Sequence, residues 1–284
     1  MSVQYGNVHV DERYSSIFEP NLYYNSVFAP GKTFTDKYEL GPAGGIYVHK
    51  LDTSAVTVGT PGRDFVDVTA SDSLIQIVLN NNFQQSKKIY GVQAAAVSAD
   101  LANEELKTAI AEVAEGWNAA GLACLVAEGT TASFSTASIT KNNVKKAVIA
   151  MRKQIVSAKG RADVLLASPD AFAAILEAAG AEYIPQANEY INKTGSVGQW
   201  LGLTVLECSG LAASNGKYYN AAGSLTTSSF SSVNFIMYNK EALSIVTNLD
   251  MQRIVDSENF NGSKAQVEMN SGFKVTSTAQ VVVL

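Results

Sequence analysis

The sequence predicts an α+β fold, and three observations carry that prediction. Residues 98–128 form one long stretch of helical period near the middle of the chain. A β-like segment with strong turn signals precedes it. A helix–strand–helix succession follows it, and the chain ends in alternating apolar strands.

Residues 1–30 come first and have no period. Tyr5, Tyr14, Phe18, Tyr23, Tyr24 and Phe28 are scattered among Asn, Ser, Asp and Pro. Such a segment cannot bury its rings against itself, and disordered tails are poor in aromatics. It reads as an extended arm anchored by those rings on another surface, its own domain or a neighbouring subunit.

Residues 31–92 read as strands. Gly41-Pro42 and Gly44-Gly45 punctuate the start, and Ile46, Val48, Val56 and Val58 have strand character. Gly59-Thr60-Pro61-Gly62 is a strong turn. Phe65, Val66 and Val68 resume, and Leu74 to Leu79 make a second apolar strand that Asn80-Asn81-Asn82 should end. A long two-stranded excursion lacks a core of its own, so this one needs a surface to lie on.

Ser98 is a good N-cap for the long helix, and Asp100, Glu104 and Glu105 suit its positive end. Ala102, Leu106, Ile110, Val113, Trp117, Ala120 and Cys124 recur at three- and four-residue steps. Trp117 is therefore expected in the core. Gly129 stands where a C′ glycine ends a helix. Gly116 and Gly121 weaken the helix by about 1 kcal/mol each against Ala.

A small polar linker over residues 130–138 leads to Thr140, the expected cap of a second helix. Val144, Ala147, Val148, Met151 and Ile155 share one of its faces. Residues 162–167 read as a short buried strand. Ser168-Pro169-Asp170 then supplies a cap, an N1 proline and a first-turn acid for a third helix through Phe172, Ile175 and Leu176 to Gly180. Strands are expected at 203–207, 233–238 and 243–246, with a Ser/Gly/Thr-rich loop over 209–232. Val267, Met269, Phe273, Val275 and residues 281–284 supply the closing strands.

Composition limits the function. The 284 residues are 46% hydrophobic and 17% charged, enough for a sizeable core. No uninterrupted run of about 18 apolar residues predicts a membrane span. The first 20 residues lack the basic start and apolar block of a secretory signal, so the chain is expected to remain where it is made. Net charge is −5. No stretch reads as a concentration of Lys or Arg, and the pairs Lys87-Lys88 and Lys145-Lys146 read as solvated faces. Sequence-specific DNA contact is not expected. Cys124 and Cys208 sit in apolar surroundings, as buried reduced thiols do.

No constellation supplies chemistry. His9 and His49 lack Cys or acid partners at ligand spacing, so neither a metal site nor a catalytic triad is expected. Gly195, Gly198 and Gly202 match no nucleotide loop and precede a strand, so they read as a turn. Asp250, Asp256 and Glu258 are interleaved with Arg253, as in a surface charge cluster. Neither catalytic residues, a cofactor nor a metal is predicted. An aromatic arm and an unsupported hairpin point to a structural protein whose loose parts are satisfied by copies of itself.

The succession of parts resembles the Hong-Kong-97-type major capsid proteins of tailed bacteriophages over nearly the whole chain. Its most specific text is Ala167-Ser168-Pro169-Asp170-Ala171-Phe172, then Gly198-Gln199-Trp200-Leu201-Gly202-Leu203-Thr204-Val205, then Ser209-Gly210-Leu211. The ending, Gly272-Phe273-Lys274-Val275 to Leu284, is similar as well. The resemblance implies an N-terminal arm at 1–30 and an E-loop hairpin at 31–92. It implies a spine helix with peripheral (P) domain at 93–128, an axial (A) domain at 129–232, and a return to the P-domain sheet at 233–284.

It also implies pentamers and hexamers of the chain in an icosahedral virion shell around double-stranded DNA, assembled in the host cytoplasm with a scaffolding protein and a portal. The chain starts directly at the arm, which implies a separate scaffold or prior removal of a scaffolding segment. Inter-subunit contacts would fall on Tyr5, Tyr14, Phe18, Tyr23, Tyr24 and Phe28 of the arm and on Thr60, Pro61 and Arg63 of the E-loop tip. Some family members join subunits by Lys–Asn bonds from the E-loop. Here the tip offers Arg63, whose guanidinium stays protonated and is a poor nucleophile. An encapsulin-like compartment shares the resemblance, and a small α/β enzyme is the distant alternative.

Overall fold

The computed structural model describes residues 3–5, 8–10, 27–28, 30–35, 45–51, 69, 72–92, 101–135, 138–181 and 199–284. Helix α1, Leu101–Glu128, runs unbroken through the middle of the molecule. Residues 98–100, including the expected Ser98 cap, lie outside the described residues. The N-terminal half of α1 buries one face through Leu101, Ala109 and Val113. From Ala120 to Leu125 it is buried on every side. By length and composition α1 could cross a membrane, a possibility that a search for uninterrupted apolar runs misses. Half of that stretch is buried inside the protein, as in a core helix.

Under α1 lies a three-stranded antiparallel sheet in the order β13–β14–β5: Leu243–Asp256, Gly262–Val275 and Asn81–Tyr90. Two expectations are extended here. The asparagine run does follow the end of β4 (Asp72–Val78), as expected, but it also starts a further strand, β5. Asn81 exchanges two hydrogen bonds with the Tyr219 backbone, at 3.1 and 2.7 Å, and Asn80 donates to the Asn220 carbonyl at 2.8 Å. The amides clasp a neighbouring hairpin where solvent would otherwise satisfy them. The strand expected at 243–246 also runs ten residues further, to Asp256, because its second half pairs with β14.

On the other side of the C-terminal half of α1 stands a six-stranded mixed sheet, β6–β15–β12–β7–β9–β8. Its central strands, β7 (Val164–Ala167) and β12 (Phe235–Tyr238), are buried at every residue, which suits continuous apolar runs. They are flanked by β9 (Leu203–Glu207), β8 (Gln199–Trp200), β15 (Val281–Val283) and β6 (Thr130–Thr131). Helices α2 (Val144–Ser157) and α3 (Pro169–Ala181) cover the sheet's far face. Tyr218, Phe230, Ile236 and Tyr238 pack with α1 in the main core.

Local signals explain most boundaries. Pro169 opens α3, and Ser168 Oγ accepts from the Ala171 N–H at 3.4 Å. Thr140 does not cap α2: Asn143 holds that position, and its Oδ1 accepts from the Thr140 N–H at 2.8 Å. Leu201 and Gly202 both have positive φ, +52° and +76°, and join β8 to β9 as a two-residue type I′ hairpin. Gly129 is not a left-handed cap. A Cβ there would lie 2.5 Å from the Leu125 carbonyl oxygen and 2.8 Å from Val283, so close packing on β15 selects the glycine.

The expected loop at 209–232 contains a hairpin, β10 (Asn215–Tyr219) and β11 (Leu225–Ser229). Neither Asn-Gly-Lys-Tyr-Tyr of β10 nor the Ser- and Thr-rich β11 gave hydrophobic alternation. Gly216 lets it lie on α1, where a Cβ would come within 2.5 Å of the Ala119 carbonyl oxygen. Small antiparallel pairs remain at β1/β2 (Val3–Tyr5, Val8–Val10) and β3/β4 (Gly45–Leu51, Asp72–Val78).

Candidate assembly surfaces

The end of the arm is fixed to its own subunit. Phe28 is 4% exposed, although the sequence grouped it with the inter-subunit anchors. Its ring lies edge-on to Trp117, centroids 5.9 Å apart, and Phe34 and Phe273 surround the same indole. Gly121 makes the approach possible, because a Cβ at 121 would sit 2.6 Å from Phe28 Cε2. Trp117 is half-buried, not enclosed as its helical phase suggested, and its Nε1–H donates to Ser271 Oγ at 3.0 Å. The Thr35 N–H then donates to the Leu243 carbonyl at 3.0 Å, joining the segment to β13. Tyr14, Phe18, Tyr23 and Tyr24 lie outside the described residues. Tyr5 belongs to β1, and its side chain is not described.

The β3–β4 ribbon has one anchored face and one free face. Ile46 pairs with Ile77, and both bury against Val246 of β13. Gly272 allows this approach, since a Cβ there would meet the Val78 carbonyl oxygen at 2.6 Å. The opposite face presents Tyr47, 60% exposed, and Leu74, 59% exposed, with Gln76 donating to the Tyr47 hydroxyl at 3.1 Å. Sequence reasoning did not single out Tyr47 and Leu74; the β3–β4 register is what places them on one face. The turn carrying Thr60, Pro61 and Arg63 lies outside the described residues.

Titratable groups near α1 serve as ties. Glu128 accepts from Lys274 Nζ at 2.9 Å, from the Val275 N–H at 3.0 Å and from the Tyr218 hydroxyl at 3.4 Å. Burial pushes the Cys124 thiol well up, and the nearby Glu128 charge adds to it. Burial also raises the Tyr218 hydroxyl, with Cys124 and Glu128 beside it. The end of α1 is thereby bound to β14 and β10. Lys87 pairs with Glu112 at 2.7 Å and Glu105 at 3.4 Å. It lies on β5 in the central sheet, not on the β3–β4 ribbon. No group of three or more potential metal ligands occurs among the described residues.

One surface corrects the charge reading. Between Glu128 and Asp163 the chain carries seven cations and no acid: Lys141, Lys145, Lys146, Arg152, Lys153, Lys159 and Arg161. All seven are exposed. Elsewhere fourteen cations face 26 acids, a balance of −12. Four of them, Lys145, Lys146, Arg152 and Lys153, are spaced by α2's turns, so no run betrays them in the sequence; Arg161 pairs with Asp163 at 2.8 Å.

Neither a family model nor a curated protein matches the chain. Solved structures do. A chain from mycobacterium phage Che8 superposes with a TM-score of 0.74 at 14% identity, covering 99% of this chain and 98% of that one. The capsid of cyanophage P-SCSP1u gives 0.65 at 14% identity over 100% and 92%. The mature capsid of bacteriophage PhiM1 gives 0.63 at 15% over 96% and 91%. This chain has the phage capsid fold. The match runs end to end, so the capsid fold accounts for the whole chain and not for one inserted domain. That is the Hong-Kong-97-type α+β architecture that the order of parts implied.

Proposed function

We propose that this chain is the major capsid protein of a tailed phage, a self-assembling subunit of an icosahedral shell around double-stranded DNA. The likeness to phage capsid structures, which covers 96% or more of this chain and 91% or more of theirs, carries the reading. It favours a virion shell over an encapsulin-like compartment. The ribbon supports it physically, because the exposed Tyr47 and Leu74 form an apolar face that the subunit itself leaves uncovered. Residues 31–80 act as the E-loop and residues 81–128 with 243–275 as the P domain. Most of 129–238 acts as the A domain, and residues 1–26 as an arm reaching a neighbour. Many moderate contacts of this kind close a shell that no single pair would hold. Pentamers, hexamers, a portal and a scaffold follow from that role, with assembly in the host cytoplasm.

Electron microscopy of the purified protein tests this directly. Closed shells of uniform size are expected, and a monodisperse monomer under all assembly conditions would overturn it. Removing residues 1–26 while keeping the Phe28 anchor should leave folded subunits that fail to close. Because the ribbon's described residues offer only Lys50 as an amine, boiled particles should run as a single band near 30 kDa. A ladder of higher bands would mean covalent joints.

A further inference from the structure

The uncovered face of α2 has a repeat. Lys145, Lys146 and Ile149 recur seven residues later as Arg152, Lys153 and Val156. Seven residues are nearly two helical turns, so each pair stacks along one line of the helix. Ile149 is 49% exposed and Val156 is 55% exposed. They form a narrow apolar line with Lys145 and Arg152 on one side and Lys146 and Lys153 on the other, and Arg152 also donates to the Leu201 carbonyl at 2.6 Å. The opposite face, with Val144, Ala147, Val148, Met151 and Ile155, is wholly buried. Beside the line, α2 and α3 leave an open groove bounded by Lys141, Lys145, Lys146, Ile149, Glu177 and Ala178.

We infer that this face is a docking site for an acidic amphipathic helix on a different protein. Charge complementarity fixes the sign of the partner. The apolar line fixes its form, since a helix lays residues at seven-residue spacing along such a seam while its flanking carboxylates meet the two rows of cations. A purely electrostatic grip on nucleic acid has no use for exposed Ile and Val between the cations. An anionic membrane would be met by a broader apolar face than two aliphatic side chains.

A second copy supplies no such helix among the described residues. Four of the five acids of α1 are engaged, Glu104 with Lys107, Glu105 and Glu112 with Lys87, and Glu128 with Lys274, which leaves Glu115 as a single exposed acid and not a row. Helix α3 offers only Asp170 and Glu177, and Glu177 already borders the groove. The site belongs to the subunit and does not depend on shell formation.

The test uses the full chain and a fluorescent synthetic helix with Leu at every seventh position flanked by Glu. Its Glu→Gln analogue, a short DNA duplex and vesicles containing phosphatidylserine are compared in parallel. Saturable binding of the acidic helix is expected, weakened roughly tenfold by K145E/K146E and again by I149S/V156S. All four positions are exposed, and circular dichroism checks that the variants stay folded. The Gln analogue should bind at least as weakly as the charge-reversed protein does. Equal binding by wild type and I149S/V156S would overturn the inference in favour of a bare polyanion site. So would tighter binding to the duplex or the vesicles than to the acidic helix, or no binding of the helix at all.

Discussion

Helices α1 and α2 are both amphipathic in sequence, yet the fold uses them oppositely. Along α1 the carboxylates at 104, 105, 112 and 128 are all paired, and residues 120–125 have no solvent-facing side. Along α2 one face is fully buried and the other carries cations and exposed aliphatics. A helix whose carboxylates are mostly tied inside its own subunit reports on folding. A helix whose outer face repeats charge beside half-exposed apolar residues reports on what the subunit meets.

Substitutions around α1 should therefore be costly in stability. Phe28→Ala has the largest expected effect, about 3–5 kcal/mol for a nearly enclosed ring. It should appear as a lowered denaturation midpoint of the free subunit. Gly121→Ala follows, at about 1–3 kcal/mol, because the new methyl must displace the Phe28 ring. If Gly121→Ala cost nothing, the joint would be loose and α1 would not be tightly packed within its own subunit. Trp117→Phe keeps most of the ring contacts and removes the donor to Ser271, for about 1 kcal/mol.

The strength of each sequence signal follows from how local it is. The apolar face of α2, the Ser168-Pro169 helix start and the β7 and β12 runs were legible, because period, capping and burial act within a few residues. Hairpin β10–β11 was not. Its stability comes from Gly216 on α1 and from Asn80 and Asn81, more than a hundred residues away. The polar half of β13 was hidden for the same reason: its partner strand supplies the order, not its own pattern. Of the candidate contact residues, Phe28 turned inward because Gly121, a residue that looked like a helix weakness, makes the space for it. Tyr47 and Leu74 needed the β3–β4 register before they could be seen to share a face.

On α2 the expected stability change is small. Ile149→Ser and Val156→Ser should each shift unfolding by less than about 0.5 kcal/mol, since both side chains are half exposed in the subunit. A loss above about 2 kcal/mol from either, measured by urea denaturation, would mean that the face is packed within the subunit and is not an outer surface.

The smallest effect separates the two helices by pH. Burial disfavours the Glu112 charge, but hydrogen bonds from Lys87 and Gln85 outweigh it and hold the carboxyl below its usual value. A carboxyl lowered in the folded state stabilises the fold above its unfolded value, about 4.3, and that contribution is lost as the pH falls through the folded value. Glu112 is 40% exposed at the side chain, so solvent screening reduces the effect to a few tenths of a kcal/mol. Glu112→Gln should thus be slightly destabilising at pH 7 and neutral near pH 3, by matched denaturant midpoints. Replacing Lys153 with Gln on α2 should be flat over the same range, since no acid of α2 faces it. If the two variants behaved alike, the pairing that distinguishes α1 from α2 would have no energetic content.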